Sequence, residues 1–230
     1  MAGEQERALD KIAKAQNISG GFSWFPGFPA DRYMTQHIIS GMGHLDALGV
    51  RAVRQDTRTW NMVNNALRYL DSELQDDYER LKALVQKGLA KFEDDNLGNT
   101  QIHYLYMRGY FKDVPIPDDT MEAFNYYLSQ AKKYWLKENL YMQGMLALAL
   151  HRNDDKTTPA AMIKSFNERA LRSEEMGMYW KSDRGYYWYQ APIETQALMI
   201  EVYDEVAKDV KAVEDLKVWL LKQKQTQDWK

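Results

Sequence analysis

The chain has 230 residues, of which 45% are hydrophobic, enough for one sizeable core, so we begin from a single domain. Its 30 basic and 33 acidic residues nearly cancel and form no long block of like charge, which argues against a nucleic-acid partner or an anionic membrane surface. The absence of cysteine excludes disulfides, thiolate metal ligands, a cysteine nucleophile and an internal thioester, and no stretch of sequence approaches the ~18 apolar residues of a membrane span.

Apolar residues recur at helical spacing along nearly the whole chain. One stripe joins Trp60, Val63, Leu67 and Leu70, as on the buried face of an amphipathic helix. Residues that favour helix ends divide the sequence into about ten such segments. The predicted helices cover about 4–16, 34–48, 56–73, 75–91, 98–111, 118–134, 138–151, 158–173, 192–207 and 209–224.

The predicted helices are of two kinds. Those near 138–150 and 192–203 are apolar over most of their circumference, as expected of helices packed on all sides. Those near 75–91 and 158–173 carry a single apolar stripe, which indicates one face in water. This alternation of inner and outer helices favours an all-α fold, namely an α/α toroid of antiparallel helical hairpins rather than an open superhelix. We predict that residues 1–230 form one such domain.

Two loops stand out for their glycine and aromatic residues. They span residues 17–29 and 176–191, and because each leads into a predicted inner helix, we expect both at the same end of the toroid. Their aromatic rings suit either a second hydrophobic core that closes this end of the toroid or a contact surface for a protein. Aromatic rims also stack sugars, so a carbohydrate ligand stays open. The candidate residues in these loops are Gly20, Gly21, Phe22, Trp24, Phe25, Pro26, Gly27, Trp180, Tyr187 and Trp188.

Four segments, at 15–27, 32–37, 193–198 and 219–225, together resemble the thioester-type toroid domain of bacterial alpha-2-macroglobulin-like proteins. The first is similar to that family's Gly-Gly-Phe-x-Trp loop, and the second, with Tyr33 and Thr35, to its Tyr-x-Thr helix opening. The third contains Glu194 and Thr195, and the fourth is similar to the family's last outer helix before a final inner one.

The resemblance implies a role as well as a fold. Family members are large, multidomain, extracytoplasmic proteins that trap or inhibit proteases, some through a Cys-Gly-Glu-Gln thioester. Here Gly3-Glu4-Gln5 follows Ala2 instead of cysteine and lies too close to the Gly-Gly-Phe loop, so we read it as coincidence. The implied partners are other domains of a parent chain and possibly a protease. The resemblance further implies an inner helix beyond Trp229, and hence an incomplete ring cut from a larger protein.

Histidines and paired acids are the candidates for metal chemistry. His37 and His44 flank Gly41 on one face of a predicted inner helix, as a lined pocket or metal pair would require. We favour structural histidines, because no HExxH motif or carboxylate at ligand spacing accompanies them. The acid pairs are assigned to predicted helix ends, where capping and solvation explain them, rather than to a magnesium–diphosphate site. These pairs are Asp76-Asp77, Asp94-Asp95, Asp118-Asp119 and Asp154-Asp155.

Acid–base chemistry is the remaining enzymatic possibility. Glu194 with Asp183 could serve as general acid and base at an aromatic rim, as in toroid enzymes that act on carbohydrate or terpenoid. Glu194 is explained more simply by the helix dipole, because it lies in the first turn after Pro192. We therefore predict a module with no catalytic residue, metal or cofactor that recognises a protease or another domain. The alternatives are a toroid enzyme and a generic helical scaffold.

Overall fold

The computed structural model describes residues 2–181 and 191–226. Within these ranges it contains ten α-helices and one two-stranded antiparallel sheet, so the all-α prediction is confirmed. A π-helix, Tyr203–Ala207, follows α9, and short 3-10 turns lie at Gly109–Phe111 and Trp135–Lys137. The elements are α1 (Ala2–Lys14), α2 (Arg32–Ala47), α3 (Ala52–Gln55), α4 (Thr57–Gln86), α5 (Asn99–Arg108), α6 (Asp118–Tyr134), α7 (Leu140–Arg152), α8 (Thr157–Arg169), β1 (Leu171–Ser173), β2 (Gly177–Tyr179), α9 (Pro192–Val202) and α10 (Val210–Thr226).

The predicted break near residue 74 is wrong, because α4 is one continuous helix of 30 residues. No glycine or proline interrupts it before Gly88, whose positive φ of 69° follows its end. Its buried stripe continues in phase through Leu70, Leu74 and Tyr78. The pair Asp76-Asp77 therefore lies inside a helix, which corrects its assignment to a helix end.

The helix predicted over 158–173 ends at Arg169, and a hairpin replaces its last turn. Leu171 pairs with Tyr179, and Ser173 pairs with Gly177. Gly177 has a φ of 67°, and an added Cβ would lie 2.1 Å from the carbonyl oxygen of Asp215. Only glycine fits this backbone contact, which explains how the hairpin packs closely on α10.

The chain divides into two compact units, residues 1–130 and 131–230. In the first unit, α2 packs against both α4 and α5. Its apolar core includes Ile39 from α2, Leu67 from α4 and Leu105 from α5, all fully buried. No helix in the described ranges is both long enough and apolar enough to cross a membrane.

A buried ion pair lies in the core of the first unit. The Arg108 guanidinium donates to the Asp71 carboxylate at 3.1 Å, and each residue is only 2% exposed. The Tyr104 hydroxyl donates to the same carboxylate at 2.5 Å. Burial raises the pKa of Asp71, while Arg108 and Tyr104 oppose that shift. Arg108 also donates to the carbonyls of Phe111 and Val114 at 2.6 and 2.8 Å, and so fixes the chain after α5.

The second unit contains the clearest contrast between a fully buried helix and a helix with one exposed face. Every residue of α7 from Met142 to Leu150 is buried, as predicted for a helix packed on all sides. The neighbouring α8 buries only a stripe formed by Pro159, Met162 and Phe166. Gly144 allows α7 to approach α9 closely, because an added Cβ would lie 3.0 Å from the Leu198 side chain.

Candidate functional site

The loop between α1 and α2, residues 17–30, is held to the first unit by buried backbone contacts. Phe22 forms isolated antiparallel bridges with Gln16 and Asp31, and its side chain is only 1% exposed. Its N–H donates to the Thr35 Oγ1 at 2.8 Å, and the Thr35 hydroxyl donates to the Asp31 carbonyl at 2.7 Å. Asp31 also caps α2, because its carboxylate accepts from the Met34 N–H. Phe22 and Thr35 therefore anchor this loop, which we call the aromatic loop.

The glycine pair explains how the aromatic loop reaches α4. Gly20 has a φ of 93°, and an added Cβ would lie 2.4 Å from the Asn65 carbonyl oxygen. At Gly21 an added Cβ would lie 2.8 Å from the Tyr69 ring. The Gln16 side chain closes the contact by donating to the carbonyls of Gly20 and Met62 at 2.7 and 2.8 Å. Gly20 and Gly21 therefore allow the backbone of the loop to pack closely on α4.

Three large rings of the aromatic loop point away from the core. Trp24, Phe25 and Phe28 are 57%, 63% and 61% exposed. Phe25 and Phe28 contact each other edge to face at 5.8 Å between ring centroids. Their backbone is fixed locally, because the Asn17 amide donates to the Phe28 carbonyl and the Ser23 hydroxyl to the Phe25 carbonyl. The loop therefore combines an anchored backbone with a displayed apolar surface, while Pro26 and Gly27 form its exposed turn.

The two histidines considered for a metal pair have separate neighbours. His37 is exposed and stacks on Tyr33 at 6.1 Å. His44 shares a hydrogen bond of 2.9 Å with the Tyr106 hydroxyl and lies 4.9 Å from the Tyr110 ring. Within residues 2–181 and 191–226, no group of three or more histidine or acidic side chains is arranged to hold a metal ion.

A serine–histidine contact joins α2 to α5. The Ser40 Oγ lies 3.2 Å from the His103 Nε2, a geometry that a nucleophile and its base also use. Both side chains are buried, so a substrate has little access to the hydroxyl. Burial, with a further contribution from His37, lowers the pKa of His103 to about 4. The imidazole is therefore neutral at pH 7, and we interpret the pair as a core contact.

The lowered pKa of His103 predicts a loss of stability in acid. An unfolded histidine titrates near 6.5, so between pH ~6.5 and ~4 the unfolded chain binds a proton that the folded chain excludes. The free energy of unfolding should then fall by about 2 kcal/mol between pH ~8 and ~5 on account of this group. We expect the free energy of unfolding of His103→Gln, measured by denaturant unfolding at each pH, to depend less steeply on pH over that range than that of the unsubstituted chain. An unchanged slope would contradict the assignment.

Asp77 links three helices of the first unit. It accepts from Arg32 at the start of α2, from Arg80 on its own helix and from Gln101 at the start of α5. Arg32 donates in turn to the Gln36 side chain at 3.0 Å. These contacts give Asp77 a structural role. Sequence analysis had assigned its acid pair to capping and solvation instead.

In its described part, the second candidate loop, residues 176–191, contributes to the hydrophobic core. Trp180 is buried and its Nε1 donates to the Phe166 carbonyl at 3.0 Å. Thr195 Oγ1 donates to the Ala191 carbonyl at 2.8 Å, and Glu194 is exposed in the first turn of α9. The remaining candidates, Asp183, Tyr187 and Trp188, lie outside the described residues.

Sequence reasoning missed a recurring glutamine near the start of four helices. Gln36 donates to the Thr100 carbonyl at 3.1 Å, and Gln196 donates to the carbonyls of Met178 and Leu216. Gln143 donates to the Glu138 carbonyl at 2.9 Å, and Gln101 binds Asp77. The signal was present, because Thr-Gln occurs at 35–36, 100–101 and 195–196, and Met-Gln at 142–143. The glutamine side chain thus links the first turns of α2, α5, α7 and α9 to neighbouring segments of the chain by hydrogen bonds.

Comparison with known proteins gives no relative: no protein-family model matches the chain, and no curated protein matches it. The functional argument therefore depends on the residues and their geometry. Among the aromatic candidates that the structure describes, Trp24 and Phe25 are exposed, and the neighbouring Phe28 is exposed as well.

Proposed function

We propose that the chain is a non-catalytic toroid domain of a bacterial alpha-2-macroglobulin-like protein, and that its aromatic loop docks on protein partners. The observation that supports this role is the display of Trp24, Phe25 and Phe28 on an anchored backbone. Exposed apolar patches on soluble proteins mark interaction sites, and tryptophan is enriched among the residues that dominate binding energy. A pre-ordered loop also loses little conformational entropy on binding.

The toroid is supported by repetition along the chain. The buried α7 and the singly striped α8 form an inner and outer pair, as in a ring of helical hairpins. Glutamine recurs near the start of α2, α5, α7 and α9, so we expect these four to be the inner helices. Each hairpin of such a ring buries its apolar face against its neighbours.

The proposed binding is non-covalent. Without cysteine the chain cannot form the thioester by which some family members acylate their targets. In our proposal, burial of the displayed rings supplies the affinity instead. Full burial of one phenylalanine contributes roughly 1.5–3 kcal/mol. The partners that we propose are other domains of a parent chain and, during inhibition, a protease. By the same resemblance we propose an extracytoplasmic location.

A double substitution tests the docking role. We expect Phe25→Ala with Phe28→Ala to weaken binding to an active-site-blocked serine protease, such as trypsin or chymotrypsin, by more than about 10-fold, because two buried rings are lost. Binding is measured by surface plasmon resonance with the protease immobilised.

The matched control is Leu89→Ala, which removes a side chain that is 72% exposed but lies outside the aromatic loop. This variant should bind the protease as tightly as the unsubstituted chain does. Equal affinity of the double variant and the control for every protease that binds would remove the proposed role.

A further inference from the structure

A groove of about 500 Å³ lies in the second unit between α8 and the π-helix Tyr203–Ala207. Its volume falls within the range of about 300–1,000 Å³ that ligand sites occupy. We call it the α8 groove, and its walls are Pro159, Ala160, Ile163 and Asn167 from α8, with Val206 and Ala207 from the π-helix. The groove is elongated, because α8 rises about 15 Å between Thr157 and Asn167.

Three donors that line the α8 groove are unused within the part of the chain that the structure describes. The Lys156 ammonium makes no ion pair there, and the His151 ring makes no hydrogen bond there. The Asn167 Oδ1 accepts from the Tyr203 hydroxyl at 3.1 Å and from Arg172 at 3.0 Å. These two bonds leave the amide N–H groups of Asn167 without an acceptor among the described residues. The groove therefore offers a cation, an imidazole and an amide to a ligand that accepts hydrogen bonds.

The remaining described lining limits the charge and shape of that ligand. Asp209 is the acid of this lining, and its carboxylate accepts from the Ala212 N–H at 3.0 Å at the start of α10. Because one acid opposes one lysine, a ligand with a single negative charge suits the groove better than a phosphate dianion. Between the polar groups the walls are apolar, since Pro159 is buried and Ile163 and Val206 are half-buried. The ligand should therefore combine one anionic end with an apolar body.

The π-helix wall of the α8 groove is fixed by an ion pair. The Arg152 guanidinium donates to both carboxylate oxygens of Glu205, at 2.8 and 2.6 Å. The turn closes at Lys208, whose φ of 55° is left-handed. Short π-helical turns occur frequently at functional sites. The wall is thus ordered before a ligand arrives, which reduces the entropy lost on binding.

We infer that the α8 groove binds a medium-chain, unbranched carboxylate. Its carboxylate would accept hydrogen bonds from Lys156 and His151, and its aliphatic chain would lie between Ile163 and the π-helix. The elongated shape selects a chain, and the unpaired lysine selects an anion. This site is separate from the proposed docking surface, because its residues belong to the second unit and the aromatic loop belongs to the first.

NMR titration of the ¹⁵N-labelled whole chain with octanoate, acetate and octylammonium tests the inference. We expect octanoate to bind with a Kd below about 1 mM. The amide signals that shift should include those of Ala160, Ile163, Val206 and Ala207. Acetate lacks the chain and octylammonium has the opposite charge, so each should bind at least about 10-fold more weakly than octanoate.

Two substitutions locate the octanoate within the α8 groove. Lys156→Gln should weaken binding about 10-fold, and Ala160→Trp should abolish it by filling the groove. Both side chains are exposed, so circular dichroism should show that both variants fold.

The matched control is Lys164→Gln, which makes the same charge change at an exposed position of α8 outside the groove. It should bind octanoate as tightly as the unsubstituted chain does. Failure of octanoate to bind, equal binding of octylammonium, equal affinity of Lys156→Gln and Lys164→Gln, or unchanged binding by Ala160→Trp would each overturn the inference.

Discussion

Replacement of Arg108 by methionine is expected to lower the free energy of unfolding by about 3–5 kcal/mol. The substitution keeps most of the apolar volume but leaves the Asp71 carboxylate buried without its cation. It also removes the donors to the carbonyls of Phe111 and Val114. Urea unfolding followed by circular dichroism measures the change.

The chain provides a matched control for this prediction. Lys14 and Asp10 form an ion pair at 2.6 Å in the same unit, but both side chains are substantially exposed. Lys14→Met should therefore cost less than about 1 kcal/mol. If Arg108→Met destabilises the protein no more than Lys14→Met does, burial is not what makes the Asp71–Arg108 pair important.

The second large effect is expected at Gly20, where alanine should cost about 2–4 kcal/mol. The residue has a φ of 93°, and its new Cβ would overlap the Asn65 carbonyl oxygen. The aromatic loop would have to leave α4, which would break the hydrogen bonds of Gln16. Thermal unfolding reports the lost stability, and amide exchange at Phe22 reports release of the loop.

Gly27 separates backbone strain from steric overlap. It has a similar φ of 83°, but an added Cβ would have no neighbour within 4 Å. Gly27→Ala should therefore cost only about 1 kcal/mol from strain. Equal losses for the two alanine variants would show that the contact with Asn65 contributes nothing.

Local periodicity was enough to predict the helices whose burial matches their sequence. The all-buried α7 and the single stripe of α8 follow directly from the positions of their apolar residues. The continuous α4 was missed because the acids around Asp76 were taken as a helix end, although the stripe through Leu74 and Tyr78 never loses phase. The strand Leu171–Ser173 was missed because its three residues are all exposed and carry no apolar alternation.

The candidate site shows where local sequence information ends. Phe22 and Phe25 are three residues apart and chemically identical, yet one is 1% exposed and the other 63%. The difference in exposure depends on the β-bridges of Phe22 with Gln16 and Asp31, because these bridges determine which side of the loop faces the core. The need for small residues at Gly20 and Gly21 was predictable, but their neighbours Asn65 and Tyr69 are distant in sequence. Only tertiary packing identifies such partners.

Cross-linking tests the proposed docking role most directly. Phe28, which is 61% exposed, would be replaced by the photoreactive amino acid p-benzoyl-phenylalanine in the protein expressed from the full open reading frame, with Leu89 as the control position. After illumination with and without a protease, mass spectrometry identifies the attached residues. We predict cross-links from position 28 to another domain or to the protease, well above those from position 89. Equal, background-level cross-linking at both positions would contradict a docking role for the aromatic loop.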